Sequence, residues 1–242
     1  MQTRISTLIQ SHKELTSAVS HEIKTPVSRA KFANEMMVQK MERGDAVGAT
    51  SYANSIADDL NEINSLVSEM LNYAKLEHAD PTLELSAVML NALIQAKIDS
   101  IAPAQPDVTF VFTPDKMYQL HCDGHFVDRA VQNLLINAVK YCRSQVSVSC
   151  AIQTVNQPDS EQKVLEIAVE DDGAGINEDE LNRVFQPFSR LDQSRARTSG
   201  GFGLGLAIVK RVMQWHDGDA LAFARSELGG ARFELRFPIT TA

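Results

Sequence analysis

Residues 164–176 read VLEIAVEDDGAGI, a strand-like alternation that runs into an acidic, glycine-containing turn. Leu165, Ile167 and Val169 fall on one face of the predicted strand, because successive side chains of a strand point to opposite faces. Asp171 then stands at the predicted strand end. A carboxylate there can accept a hydrogen bond from a ligand amino group, and the glycines let backbone pass close to that ligand. A plain Asp-Gly turn is the alternative that this stretch alone leaves open.

Upstream, residues 133–141 read NLLINAVKY and predict a helix with one polar face. Asn133, Asn137 and Lys140 or Tyr141 recur at helical spacing on that face. Amide oxygens can bind Mg²⁺, and a lysine can neutralise a phosphate. An ordinary solvated helix face is the alternative. The opposite, apolar face consists of Ala130, Leu134, Leu135 and Ala138.

Downstream, residues 199–206 read SGGFGLGL and open a predicted helix. Glycines with accessible backbone N–H groups, followed by a helix N-terminus, favour phosphate binding. The stretch is not a Walker A loop, because it lacks the G-K-[ST] ending. It is not a Rossmann fingerprint either, because it does not follow the first strand of a parallel βαβ unit.

The N-terminal third has a different pattern, in which apolar residues recur at steps of three and four. One predicted helix lies within residues 5–42, and its stripe comprises Leu15, Val19, Ile23, Val27, Ala30, Ala33 and Met37. A second helix follows a loop at 43–50, and its stripe comprises Ile56, Leu60, Ile63, Val67, Met70 and Ala74. A single hairpin leaves much of these stripes exposed, so we predict a symmetric dimer in which two hairpins form a four-helix bundle.

Past Pro81 the sequence alternates between short strands and helices, which predicts an α+β sandwich. We therefore predict two domains, residues 1–80 and residues 81–242. The predicted strands cover about 82–86, 108–112, 117–121, 144–153, 163–171, 219–225 and 231–237. The predicted helices cover about 89–101, 124–142, 178–185 and 203–215.

Composition excludes several classes of protein. A net charge of -8 and a pI near 5.3 give no basic surface for nucleic acid. The cysteines Cys122, Cys142 and Cys150 lack C-x-x-C spacing, which indicates reduced structural or incidental thiols and not a zinc site. No apolar run approaches the ~20 residues that span a bilayer, and the N-terminus lacks the layout of a signal peptide, so we expect the chain as given to be soluble.

Residues 20–26 read SHEIKTP and lie within the first predicted helix. His21 falls roughly opposite the apolar stripe, so its imidazole should face solvent, and Thr25 shares that face. Pro26 costs ~3 kcal/mol inside a helix and frees the carbonyl of Glu22. A tolerated proline beside an exposed histidine indicates a functional site. The alternatives are a kink without functional consequence and a surface histidine without a function.

Together and in this order, the stretches 133–141, 171–176 and 199–206 resemble the N, G1 and G2 boxes of the Bergerat-type (GHKL) ATP-binding domain. Histidine kinases, gyrase, Hsp90 and MutL share that domain. Residues 185–188 (FQPF) resemble its F box, and residues 20–27 resemble the H box that only histidine kinases possess. The chain is thus similar to the cytoplasmic core of bacterial sensor histidine kinases over nearly its whole length.

Within that family, three stretches look closest to RstB-like sensors. These are residues 188–192 (FSRLD), the loop from 198 to 206, and residues 227–233 (ELGGARF).

The resemblance implies chemical roles for matching positions. His21 would be the phospho-acceptor, Glu22 would orient its imidazole and accept its proton, and Thr25 would hold an attacking water in a phosphatase reaction. Asn137 would carry Mg²⁺. Arg190, Arg195 or Arg197 in a mobile stretch from 189 to 202 would reach the transferring phosphate. The ATP-binding set would be Asn133, Asn137, Lys140, Tyr141, Asp171, Gly173, Gly175, Ile176, Arg190, Gly201, Gly203, Leu204, Gly205 and Leu206.

The resemblance also implies partners and a location. We expect ATP and Mg²⁺ as cofactors, a homodimer, the receiver domain of a response regulator as partner, and no nucleic acid. We expect this chain to be the cytoplasmic part of a parent protein in the bacterial inner membrane. Membrane contact would then come only through N-terminal segments absent from this chain. Two alternatives are a degenerate dimeric scaffold without turnover and a non-kinase GHKL ATPase switch.

Overall fold

The computed structural model of the chain describes residues 2–78, 81–157, 160–189 and 202–239. Its backbone contacts divide the chain into two compact units, Met1–Lys75 and Leu76–Ala242. The predicted boundary between residues 80 and 81 stays a prediction. No helix in the described part of the chain is both long and apolar enough to cross a membrane.

The first unit is a helical hairpin, as predicted. Helix α1 (Gln2–Glu42) and helix α2 (Ala46–His78) are joined by a turn in which Gly44 adopts a positive φ of 73°. Helix α2 begins earlier than the predicted loop at 43–50 allows. The reason is Asp45, whose Oδ1 accepts a hydrogen bond of 2.9 Å from the backbone N–H of Gly48 and so caps the first turn.

Packing between the two helices buries only part of the predicted stripes. Val19 and Ala33 of the α1 stripe are buried in the single chain, and so is Leu66 of α2, which the predicted stripe did not include. Leu60 and Val67 of the α2 stripe remain 52% and 40% exposed. One hairpin thus leaves apolar surface uncovered, which is the condition from which the predicted dimer was argued.

In its described residues, the second unit contains two sheets and three α-helices. Its strands are β1 (Ser86–Met89), β2 (Thr109–Phe112), β3 (Gln119–Cys122), β4 (Gln145–Gln157), β5 (Ser160–Asp171), β6 (Asp219–Phe223) and β7 (Arg232–Pro238). Its α-helices are α3 (Leu90–Ile101), α4 (Gly124–Tyr141) and α5 (Gly205–Trp215), and 3-10 helices lie at Ala102–Ala104 and Glu178–Glu180. The larger sheet has the order β2-β4-β5-β7-β6, with β2 parallel to β4 and every other pair antiparallel, and the smaller sheet pairs β1 with β3.

The main core lies between one face of the five-stranded sheet and the helices that contact it. Alternation along β5 brings Leu165, Ile167 and Val169 to this face, as the sequence predicted, and all three are buried. Helix α4 contacts β4 and β5, while α5 contacts β6 and β7. The predicted α+β sandwich after a helical hairpin is therefore confirmed.

Charged side chains occupy the other face of the same sheet. Arg232 on β7 pairs with Glu166 and Glu170 on β5 and with Glu234 on its own strand. Arg236 also pairs with Glu234, at 2.6 Å. Because the two arginines cover the three carboxylates, these glutamates are buried by side chains of the sheet itself.

The free thiols sit where reactivity is low. Cys122 and Cys150 are buried and Cys142 is half-buried. Burial raises the pKa of Cys122 to about 11 and that of Cys150 to about 12. Thiols with such values stay protonated at neutral pH, in agreement with the predicted structural role.

Two predicted elements were wrong. The first strand, predicted at 82–86, is Ser86–Met89, because the backbone N–H of Glu84 donates to Asp123 Oδ2 and does not enter a strand ladder. The helix predicted at 178–185 is only a 3-10 turn at Glu178–Glu180 followed by further turns. Hydrogen bonds that span three residues close these turns, from the Leu181 N–H to the Glu178 carbonyl at 3.3 Å and from the Arg183 N–H to the Glu180 carbonyl at 2.8 Å, in place of an α-helical ladder.

Candidate functional site

His21 lies on helix α1 with its side chain 80% exposed, so the predicted exposure is confirmed. Its Nδ1 lies 3.8 Å from Oε1 of Glu22. The hydroxyl of Thr25, one turn later, donates to the carbonyl of His21 at 3.4 Å. An accessible imidazole nitrogen with a carboxylate beside the other nitrogen is suited to nucleophilic chemistry.

Pro26 is accommodated within the same helix. Helix α1 continues through it, and its ring is buried while Thr25 is exposed. Since proline has no N–H, the carbonyl of Glu22 loses its usual partner four residues on. One backbone acceptor of the helix, the Glu22 carbonyl, is therefore freed next to His21.

Helix α4 places the polar segment 133–141 next to the start of α5. The Asn133 amide donates to the carbonyl of Arg129 at 2.8 Å, which fixes the amide orientation. A Cβ on Gly205 would lie only 2.8 Å from Asn133 Oδ1, so a side chain at this position would displace the Asn133 amide. Asn137 follows one turn later on the same face and is half-buried. The segment 133–141 and the described part of the segment 199–206 are thus neighbours.

The C-terminal end of α4 meets the remaining predicted segment, residues 171–176. The Lys140 ammonium lies 5.1 Å from the centre of the Tyr141 ring, which is a cation–π distance. Tyr141 is 46% exposed, so part of its side chain faces solvent. A Cβ on Gly173 would overlap the Tyr141 carbonyl oxygen, which places the turn after β5 directly against the helix end.

Asp171 ends β5, as predicted, and is only 2% exposed. Its Oδ1 accepts hydrogen bonds from the backbone N–H groups of Gly173, at 2.8 Å, and Ala231, at 3.2 Å. Burial raises the pKa of this carboxyl, and the two hydrogen bonds oppose part of that rise. Neither bond uses Oδ2, which leaves that oxygen to accept from a ligand.

Sequence reasoning assigned no role to Ser226 and Gly230, which hold Asp171 from the β6–β7 connection. The Ser226 hydroxyl donates to the backbone carbonyl of Asp171 at 3.0 Å, and the Gly230 N–H donates to the same oxygen at 3.0 Å. A side chain on Gly230 would overlap Asp171. The stretch 227–233 was singled out only by resemblance, and its glycine pair was the one local signal.

Asp172 is a second residue whose contacts sequence reasoning missed. Its carboxylate accepts from the backbone N–H groups of Arg143 and Ser144 and from the Ser144 hydroxyl, at 2.7 to 3.1 Å. Burial raises its pKa, but the hydrogen bonds outweigh burial and hold that pKa below its usual range. The acidic pair in DDGAG was the available signal.

The glycine-rich loop enters α5 through a fixed turn. Gly203 adopts a φ of 77°, and its carbonyl accepts from the backbone N–H of Phe188 at 3.0 Å. Leu204 is fully buried and precedes the first residue of α5, while Leu206 is half-buried. The start of this 11-residue helix, where the first N–H groups of a helix have no partner within the helix itself, faces the Asn133 amide.

The remaining predicted positions divide into two groups. The backbone N–H of Ile176 donates to the carbonyl of Ala224 at 3.0 Å, and Gly175 has a positive φ of 79°, so both lie on the turn after β5. Arg190 and Gly201 lie outside the described residues, as do the alternatives Arg195 and Arg197.

These residues fit a nucleotide with a magnesium ion. The buried acceptor Asp171, the polar face of α4 and the N-terminus of α5 are groups of the kinds that can bind a base amino group, a metal and phosphates, respectively. An amide such as that of Asn137 suits Mg²⁺, which takes most of its oxygen ligands from phosphate and water.

Comparison with known families gives two matches in one chain. Residues 11–79 match the His Kinase A (phospho-acceptor) domain. Residues 122–241 match the Histidine kinase-, DNA gyrase B-, and HSP90-like ATPase domain. The first match lies on the hairpin, and the second covers the part of the sandwich from residue 122 onward.

Individual proteins with similar sequences point to the same family as the two domain matches. The chain is 32% identical to sensor protein RstB of Escherichia coli K12, over 99% of this chain and 52% of the relative. It is 26% identical to sensor histidine kinase CpxA of the same strain, over 99% of this chain and 50% of the relative. The chain thus spans about half the length of these curated relatives.

A solved structure, the mycobacterial sensor histidine kinase MprB, aligns with a TM-score of 0.53 at 28% identity, over 63% of this chain and 97% of that one. The predicted resemblance to RstB-like sensors is confirmed by the RstB match. The chain therefore belongs to the sensor histidine kinases and carries their phospho-acceptor domain followed by their ATPase domain.

Proposed function

We propose that this chain is a protein-histidine kinase that transfers the γ-phosphoryl group of ATP to His21 and then to an aspartate of a response regulator. The observation that carries the proposal is one chain with an exposed His21 beside Glu22 on a helical hairpin and a nucleotide-type site around Asp171. A histidine acceptor and an ATP site are the two parts that such a reaction requires.

The acceptor chemistry follows from the side of the imidazole that Glu22 occupies. Since Glu22 Oε1 lies beside Nδ1, the attacking atom of His21 is Nε2. The bond from Nε2 to phosphorus forms as the bond from phosphorus to the ADP oxygen breaks. Glu22 accepts the Nδ1 proton as positive charge develops on the ring.

The nucleotide is held by groups from three segments. Asp171 accepts from the adenine amino group, and Gly173, Gly175 and Ile176 shape the base pocket. Lys140, Tyr141 and Asn133 line the nucleotide on α4, and Gly203, Leu204, Gly205 and Leu206 present the N-terminus of α5 to the phosphates. Arg190 and Gly201 complete this set by family resemblance.

Mg²⁺, when bound, neutralises charge on the phosphates as the phosphoryl group moves. Asn137 is the residue that would hold it. Its half-buried amide lies one helical turn beyond Asn133, on the α4 face that meets the start of α5.

The partners follow from the hairpin. A second copy would cover the exposed seam residues Leu60 and Val67 and so complete a four-helix bundle. The receiver domain of a response regulator would dock near His21. The parent protein would lie in the bacterial inner membrane, with this part in the cytoplasm.

A phosphatase activity is included in the proposal. Thr25 is exposed one turn after His21, close enough for its hydroxyl to bond the His21 carbonyl. In Thr25→Ala we expect loss of response-regulator dephosphorylation with autophosphorylation retained. Unchanged dephosphorylation would remove the role assigned to Thr25.

The test of the kinase is incubation of the purified chain with γ-labelled ATP and Mg²⁺. We expect a label that is labile in acid and stable in alkali, absent from His21→Ala and present in His121→Ala, which removes an exposed histidine of β3. An unlabelled wild type that still binds ATP would contradict the proposal.

A further inference from the structure

Asp172 follows directly after the residue assigned to adenine, but its side chain serves a different part of the fold. Successive side chains at a strand end point to opposite sides. Asp171 therefore turns into the sandwich, where it is bonded by Gly173 and Ala231. Asp172 turns towards the connection between α4 and β4, where it meets Arg143 and Ser144.

The contacts of Asp172 fasten the end of helix α4. Arg143 N–H donates to Oδ1 at 2.7 Å, Ser144 N–H donates at 3.1 Å, and the Ser144 hydroxyl donates to Oδ2 at 2.8 Å. Arg143 and Ser144 lie between the last residue of α4, Tyr141, and the first residue of β4, Gln145. One carboxylate thus binds most of this short connection.

Backbone contacts converge on the same place. The Asp172 N–H donates to the carbonyl of Gln145 at 3.3 Å. Gly173 lies so close to the Tyr141 carbonyl that a Cβ would overlap it. The turn that carries Asp171 and the helix that carries Asn137 and Tyr141 therefore meet through Asp172 and its two neighbours.

We propose that Asp172 is a positioning residue that sets the spacing between Asp171 and the C-terminal half of α4, and thereby the spacing between adenine and the phosphates. The inference rests on the proposed function, which assigns those two ends of ATP to Asp171 and to the α4 face. A ligand that contacts Asp171 and the α4 face at once gains affinity from their fixed separation. Adenosine lacks the phosphates, so its affinity does not depend on that separation.

The experiment compares ATP with adenosine in the variant Asp172→Ala. We expect the ATP affinity, measured by calorimetry with Mg²⁺, to fall about 10-fold, and the adenosine affinity, measured by NMR titration, to change by less than about 2-fold. Asp172→Asn should recover most of the loss, because its amide oxygen still accepts from the two N–H groups and its NH₂ can donate to the Ser144 hydroxyl. Asp179→Ala, an exposed acid of the same unit, is the matched control.

A second variant covers the case in which Asp172→Ala does not fold. Ser144→Ala removes only the hydroxyl bond to Oδ2, and we expect the same selective loss for ATP at about 2- to 3-fold. Equal losses for ATP and adenosine, or no loss for ATP, would overturn the positioning role. A wild type that binds neither ligand would instead contradict the proposed function.

Discussion

Arg29 on α1 and Asp59 on α2 are joined across the hairpin by a hydrogen bond of 2.7 Å from Nε to Oδ1. Asp59 is only 6% exposed, whereas Arg29 also reaches Glu62 at the surface. A buried carboxylate is tolerated only with a partner. The pair therefore fixes how the two helices face each other, two turns beyond His21.

Arg29→Ala should consequently destabilise the hairpin. Asp59 would keep its burial and lose its cation, which we expect to cost about 1–3 kcal/mol. The measurement is chemical denaturation followed by circular dichroism at fixed protein concentration. Lys31→Ala removes an exposed cation from the same helix and should change stability little. Equal stabilities of the two variants would show that the pair contributes nothing.

The exposed seam of α2 predicts a change of oligomeric state. Replacing both Leu60 and Val67 with Glu would place four carboxylates in the proposed bundle, which should convert a dimer to a monomer in light scattering. Val47→Glu is the control, since Val47 is 84% exposed and lies off the seam. A double variant that stays dimeric would move the interface elsewhere.

Asp171→Asn separates folding from recognition. The amide oxygen can still accept from Gly173 and Ala231, so the fold should persist. The new NH₂ cannot accept from an adenine amino group, and we expect the ATP affinity to fall about 10- to 100-fold. Calorimetry with Asp179→Asn as the reference checks this, and an unchanged ATP affinity would exclude Asp171 as the base acceptor.

Local pattern predicted the position of Asp171 but not what holds it. Alternation along 164–170 was enough to place the carboxylate at a strand end. Its contacts with Ser226 and Gly230 depend on the antiparallel pairing of β5 with β7, in which Glu170 faces Arg232. The partner of a strand is set by long-range packing, which short-range periodicity does not contain.

The misplaced first strand has the same cause. Residues 82–86 alternate plausibly, but the pairing of Ser86 with Cys122 starts the ladder later. In contrast, helix α4 was predicted within one residue, because Asp123 caps it locally through the N–H groups of His125 and Phe126.

The two adjacent acids should respond to pH with opposite sign. The pKa of Asp172 is lowered by its hydrogen bonds, so the folded state binds fewer protons at that group than the unfolded state. The stability from Asp172 is therefore complete above its unfolded pKa, about 4, and is lost as pH falls through the lowered folded pKa. Burial raises the pKa of Asp171, so its ionised form costs stability that protonation restores as pH falls.

Asp172→Asn isolates the contribution of the ionised Asp172 carboxylate to stability. We expect the urea midpoint of the wild type to exceed that of the variant at about pH 7, and the difference to shrink between about pH 4 and pH 3, as Asp172 begins to be protonated on unfolding. Asp179→Asn, which replaces an exposed acid, should show no such narrowing. A difference that stays constant over this range would mean that the charge of Asp172 is not what its four hydrogen-bond contacts stabilise.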